Sequence, residues 1–285
     1  MFDLRSSCLI KWVKIFKIFL LTDLFILISV NLFSQAIFNP TKNDSLALEK
    51  VIVEKYYKAH KSDLTDSIGG KLPKGAVTYR IYIDLKPGYK LQAVYGNKDN
   101  PLIIETTTEF FNDTILKAST GDKIVDTLIN QHNILLDSWL SMGCATNLHH
   151  GILKKDDNKG GVITNRKQLK MKDGLLYGDI YRVLYYGNNL KFFKDSIQAK
   201  RFYVDNATWA NLLGAESPIK TNRILVAQLT TNGKLSFVLN IQIKTPEGGT
   251  IRFCGRRIND NNDSLNKSQR NFIIYNKELS YKMKK

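Results

Sequence analysis

From residue 77 to residue 85 apolar and polar side chains alternate, with Val77, Tyr79, Ile81, Ile83 and Leu85 on one side and Thr78, Arg80, Tyr82 and Asp84 on the other. A period of two marks an antiparallel strand with one buried face. Pro87-Gly88 interrupts the run, and Leu91, Ala93 and Tyr95 resume it. Proline presets the first turn angle and glycine accepts a positive one at the next position, so the pattern predicts a β-hairpin over residues 76–96. A second hairpin is predicted over 223–243, where the runs 224–231 and 235–243 flank Asn232-Gly233, the preferred pair for a type I′ turn. Leu235, Phe237, Leu239, Ile241 and Ile243 line one face of it. An isolated hairpin cannot bury such a face. Ile81 and Ile83 are therefore expected to share one core with Phe237 and Leu239, covered by an opposing sheet.

The remaining chain is read in the same way. Residues 48–57 fit either period, and the β-branched run Val51-Ile52-Val53 favours a strand. Residues 60–73 form a loop containing Gly69-Gly70, and 102–111 return as a strand. Residues 112–133 are polar and read as a long connection. A strand carrying Trp139 is expected over 134–143, a short one over 151–155, and a strand-turn-strand over 178–193 with its turn at Gly187-Asn188-Asn189. Residues 156–172 read as a basic excursion, 250–254 as a strand, 259–262 as a polar loop, 272–275 as the last strand, and 281–285 as a frayed basic end. Many short strands without a long helix define the expected class: all-β, an antiparallel β-sandwich with little helix.

Composition adds an address. Arg5, Lys11, Lys14 and Lys17 precede an apolar stretch at 24–33, and Ser34-Gln35-Ala36 presents small residues where a signal peptidase cuts. Residues 1–36 are read as a signal peptide and 37–285 as a single sandwich domain beginning at Ile37. Asp23 argues against an uncleaved membrane anchor, because an acidic side chain is costly within a span. The formal charge of +16 becomes +14 once the four basic and two acidic residues of 1–36 are removed. The lysines are dispersed, and the densest run, 154–172, is interleaved with Asp156 and Asp157. That spread describes a solvated basic surface rather than a nucleic-acid track. Nucleic acid is not the expected partner.

Candidate chemistry is sparse. Cys144 and Cys254 remain after processing, and an even pair in an exported chain permits one disulfide, Cys144 to Cys254. Two separate buried thiols are the alternative. His149 and His150 are adjacent, but neighbours on a strand point to opposite faces and cannot chelate one metal. Residues 156–161, DDNKGG, echo the start of a calcium loop, yet Lys167 stands where the closing glutamate belongs, which leaves a solvated turn. No nucleophile elbow, zinc-protease helix or phosphate loop is present in the sequence. No catalytic, metal or cofactor-binding residue is assigned, and no cofactor is expected.

Five ordered blocks carry a resemblance: TYRIYIDLKPGYKLQAVYG at 78–96, PLIIETTTEFF at 101–111, LDSWLSMG at 136–143, NATWA at 206–210 and NRILVAQLTTNGKLSFVLNIQI at 222–243. Together they resemble a module of secreted proteins from Bacteroidetes-type bacteria, whose parents are long exoproteins sent out by the type IX system. The resemblance implies an extracellular or cell-surface β-sandwich of no assigned activity, and it carries no catalytic residues to this chain. Only ten residues follow Tyr275, too few for a type IX sorting domain, so the periplasm is the alternative address. The expected function is a non-enzymatic interaction or structural module whose partner is an extracellular or cell-surface component such as a glycan. A hydrolase acting on extracellular polymer and a generic polyanion binder are the competing readings.

Overall fold

The computed structural model describes residues 40–187, 191–194, 199–255 and 273–283. The signal-peptide reading, the turn at 188–189 and the loop at 259–262 lie outside them. The described residues belong to one compact unit, Pro40–Lys285. Its strands in chain order are β1 (Leu48–Lys58), β2 (Val77–Leu85), β3 (Lys90–Gly96), β4 (Leu102–Thr106), β5 (Trp139–Leu140), β6 (His149–Gly151), β7 (Leu175–Tyr177) and β8 (Leu184–Tyr186). There follow β9 (Arg201–Val204), β10 (Ala207–Ala215), β11 (Arg223–Thr231), β12 (Leu235–Val238), β13 (Asn240–Lys244), β14 (Thr250–Cys254), β15 (Ile273–Tyr275) and β16 (Ser280–Lys282). Helix among the described residues is confined to single turns such as Lys42–Ser45 and Lys191–Lys194. The fold is all-β and sandwich-like, as the strand pattern predicts.

Three larger sheets run β1-β2-β11-β5, β15-β14-β13-β3-β10-β8 and β16-β12-β4-β9, with a small β6-β7 pair beside them. This order corrects both predicted hairpins. β2 pairs with β1 and β11, whereas β3 pairs with β10 and β13, so the chain changes sheet at Pro87-Gly88 instead of folding back. Gly88 does take the positive φ the turn needs, at 86°. The corner is tied elsewhere: Lys86 N–H donates to the Ala47 carbonyl, and the Asn222 amide donates to the Lys86 and Tyr89 carbonyls. The chain changes sheet again at Asn232-Gly233, between β11 and β12. Neither residue there has the positive φ of a type I′ turn. A Cβ at Gly233 would sit 2.4 Å from Thr106 Oγ1, so glycine is required by close approach.

β2 and β11 are covered on both faces, which alternation alone could not reveal. Ile81, Ile83, Phe237 and Leu239 are all buried, as expected. On the opposite face of the first sheet, Arg80, Tyr82, Thr78 and Gln228 are buried too, beneath residues 111–175. That segment is a cap with its own apolar core, in which Trp139, Ile124, Ile134, Leu153, Ile163 and Leu169 pack against Tyr56, Tyr82 and Leu225. The expected polar connection at 112–133 is its first part. Buried polar groups need partners, and the cap supplies backbone carbonyls. Tyr82 OH donates to Ile152 O at 2.9 Å, Arg80 Nη1 to Gly174 O at 3.1 Å and Tyr56 OH to Asp173 O at 2.7 Å. Gln228 Nε2 donates to Leu135 O and Asp137 O, both at 2.8 Å.

Smaller expectations also change. Around Trp139 the chain is a 3-10 turn, Ile134–Leu136, and then the two-residue β5, because its backbone serves the cap. The expected strand at 151–155 is β6 followed by the turn Lys154–Asp156. The second half of 178–193 contains a helical turn rather than a strand, and its Phe192 and Phe193 rings pack on Phe202. Residues 281–282 are not frayed: β16 pairs with β12, and Tyr281 stacks on Phe237 at 5.2 Å.

Candidate functional site

Cys144 and Cys254 do not form the permitted disulfide; both are free and buried. Cys144 Sγ lies 3.5 Å from Ser141 Oγ, beside the cap, while Cys254 Sγ lies 3.3 Å from Tyr95 OH, on β14. Burial pushes the Cys144 thiol up to about 12 and the Cys254 thiol up to about 11, so both stay protonated and unreactive at neutral pH. His149 and His150 part to opposite sides of β6, as alternation requires. His149 Nδ1 sits 2.6 Å from Asp126 Oδ1, and its ring meets Tyr177 edge-on. The His150 ring meets Tyr181, and burial lowers its pKa. Among the described residues no cluster of side chains could hold a metal ion.

The calcium-like loop is not a solvated turn. Asp157 is buried and accepts from Lys159, Gly160 and Gly174 N–H, each at 2.9 Å, while Asp173 accepts from Val162, Ile163 and Leu175 N–H. A second carboxyl pair is built alike. Asp113 accepts from Ile115, Leu116 and Lys117 N–H, and Asp137 from Asp113 and Ser138 N–H. These four carboxyls are buried and pin the cap loops.

The pairs make stability depend on pH. Burial, then the neighbouring Asp113, push the Asp137 carboxyl well above the usual range; burial, with Asp157 alongside, raises Asp173. A carboxyl raised in the folded state binds its proton more tightly there, so stability falls as pH rises from about 4 through the folded value. Asp44, Asp66 and Asp157 go the other way: burial opposes ionisation, but surrounding donors outweigh it. Their contribution is lost as pH drops below the ordinary carboxylate range. Asp137 and Asp173 should therefore pull Tm down as pH rises above the ordinary carboxylate range, while His150, lowered by burial, pulls it up as pH rises through the histidine range. Asp137→Asn, which mimics the neutral acid, should remove the downward part, so thermal melts should show the variant gaining on the wild type as pH rises, and a wild-type-minus-variant difference in Tm that does not change with pH would contradict the assignment.

Among the described residues an open concavity lies where the first loop meets the end of β4. A groove of about 1080 Å³ runs between residues 64–74 and 108–114, with Asn232 at its end. Its first wall is fixed by Asp63, which accepts from Tyr57 OH at 2.9 Å, and by the Asn133 amide, which donates to Asp63 O and Gly70 O, both at 2.8 Å. Gly69-Gly70 is the sequence signal for this wall. A Cβ on Gly69 would come within 2.7 Å of Asp66 and His132, and Gly70 takes φ 94° against the Phe111 ring. The second wall is fixed by a hydroxyl chain in which Thr231 Oγ1 lies 2.8 Å from Thr106 Oγ1 and 2.9 Å from Thr108 Oγ1. Phe110 and Phe111 form the apolar floor, Thr108, Glu109 and Asn232 are among its polar lining, and Lys71 and Lys74, both exposed, line it as well. Sequence reasoning assigned no role to these residues.

Fold and groove together define a sandwich-like β protein with one sheet face capped and a mixed polar and aromatic groove open beside the cap. No protein-family model, curated protein or solved structure matches the chain.

Proposed function

We propose that the protein is an exported, non-catalytic binding module of the kind its sequence resembles, and that the groove beside the cap holds a sugar segment of an extracellular or cell-surface glycan. The groove is the observation that carries this reading. Its aromatic floor suits the apolar face of a sugar ring, its threonine and asparagine groups suit hydroxyls, and its lysines suit an acidic substituent. Both buried carboxyl pairs are held by cap backbone N–H groups, so neither is the pair of carboxyls facing a cleft that glycoside hydrolysis uses.

Binding to an array of extracellular polysaccharides tests the reading, using the exported species, whose N-terminus is expected at Ile37. Lys71→Ala combined with Lys74→Ala should weaken the best ligand by about tenfold, the effect of losing a charged hydrogen bond, while leaving the melt unchanged. Equal binding by wild type and variant, or no glycan retained on the array, would overturn the groove assignment. Retention that vanishes uniformly with modest salt would mark generic charge attraction instead.

A further inference from the structure

β10 lies one strand in from the end of the six-stranded sheet and carries a wide bulge. Its register with β3 runs from Ala207 opposite Gly96 to Ala210 opposite Ala93 and resumes at Ala215 opposite Leu91, so the four residues 211–214 face the single residue Gln92. Hydrogen bonds fix the bulge. Asn211 Oδ1 accepts from Leu213 N–H at 3.2 Å, Asn211 Nδ2 donates to Arg182 O at 3.3 Å, and Gln92 Nε2 donates to Leu212 O at 3.3 Å. Gly214 returns the chain to the sheet at φ 85°, where a Cβ would meet Lys90 Cβ at 2.6 Å. Ala210 and Ala215 on either side are buried, while Leu212 and Leu213 are 73% and 82% exposed. Leu184, also exposed, stands opposite Ala210 on β8 and extends the apolar surface.

The surroundings of the two leucines are polar and basic. Gln92 Oε1 accepts from Gln242 Nε2, and Gln242 Oε1 accepts from the Nε of exposed Arg252. Lys244 lies two residues along β13 from Gln242, so it shares that face, and it stands opposite Lys90. The Lys90 ammonium pairs with Glu216 at 2.9 Å and so neutralises the carboxyl that follows the bulge. Exposed Arg182 adjoins the bulge through its carbonyl. Among the described residues Arg182, Lys244 and Arg252 enter no ion pair. Apolar side chains held out at a projecting tip, with unpaired cations around it, match a lipid surface, where the apolar groups enter the acyl boundary and the cations stay with anionic headgroups. A protein partner fits less well, because two side chains at a tip cover far less than the about 1,200–2,000 Å² buried by stable complexes.

We propose that the bulge at 211–214 is a membrane-docking element, which inserts Leu212 and Leu213 into the surface of an anionic lipid bilayer while Arg182, Lys244 and Arg252 meet its headgroups. The bonds from Asn211 and Gln92 hold the bulge backbone in place beforehand, so insertion orders little more than the two side chains. Two leucines and three cations give a reversible attachment to one leaflet. None of these residues lines the groove, and the inference does not depend on the glycan reading.

Co-sedimentation of the exported species with vesicles of phosphatidylcholine alone, and of a three-to-one mixture with phosphatidylglycerol, tests it. The wild type should bind the mixed vesicles and leave the neutral ones. Leu212→Ser combined with Leu213→Ser should weaken that binding by about a hundredfold, the effect of two leucines that no longer leave water. Both side chains are exposed, and unchanged circular dichroism melts confirm that folding is not at issue. Leu213→Trp reads insertion directly: its emission should shift to the blue on the mixed vesicles and be quenched by brominated acyl chains, whereas Trp139 and Trp209, each 1% exposed, should not respond. A wild type that ignores the mixed vesicles or binds both kinds alike, a serine variant that binds as the wild type does, or a Leu213→Trp variant without quenching would each overturn the proposal. So would a wild-type dimer in sedimentation velocity that the serine variant loses, since the leucines would then belong to an interface with a second copy of the chain.

Discussion

Trp139→Ala is expected to lower the free energy of unfolding by about 3 to 5 kcal/mol, the range for truncating a buried large aromatic side chain. Trp139 is only 1% exposed, lies opposite Gln228 in the β5-β11 pair, and packs among Tyr82, Leu225 and the cap residues. A Cβ on Gly121 would approach its ring at 3.1 Å, so the surrounding backbone is already in contact and cannot easily close over the void. Urea denaturation gives the measurement, read from the midpoint at unchanged slope. A loss below about 1 kcal/mol would mean that the cap is a peripheral loop rather than a second core, since surface changes fall in that range.

Phe237→Ala should cost a similar amount, about 3 to 5 kcal/mol, in the other core. The ring is 2% exposed, stacks on Tyr281 and sits opposite Ile104 in the β12-β4 pair. Its neighbour Ser236 points to the other face, where its hydroxyl donates to Glu105 at 3.2 Å in a partly exposed bond. Ser236→Ala should cost no more than about 1 kcal/mol, the ordinary net worth of one hydrogen bond. Equal melts for the two variants would remove Phe237 from the core and with it the sheet assignment of β12.

Strand positions were legible because side-chain alternation is a local property. The run at β2 and the β-branched centre of β1 announced themselves in the chain. Which strands pair is not local. Pro87-Gly88 and Asn232-Gly233 carry the residues of tight turns, yet the corners are fastened by Ala47 and Asn222 at the first and by the Thr106 and Thr108 hydroxyls, which meet Thr231, at the second, all distant in sequence from the corners they fasten. Alternation also misled about Arg80 and Tyr82, which it set on the side away from the core. A polar side chain every second residue signals water when nothing else covers it, whereas here the covering layer is the carbonyl-rich cap backbone. The cap escaped notice because its apolar residues, Ile124, Ile129 and Ile163 among them, are spaced by neither period. Of the groove, the paired glycines at 69–70 were the one visible trace, and they marked a loop without saying what it would face.

The account turns on two sheet-changing corners that leave β2 between β1 and β11 with the cap above it. Cross-strand nuclear Overhauser contacts in a deuterated sample read this directly. Contacts linking Ile81 with Ala227, and Tyr82 with Leu225, are expected from the β2-β11 register. Contacts linking β2 with β3 across Pro87-Gly88, as a folded-back hairpin would give, would contradict it.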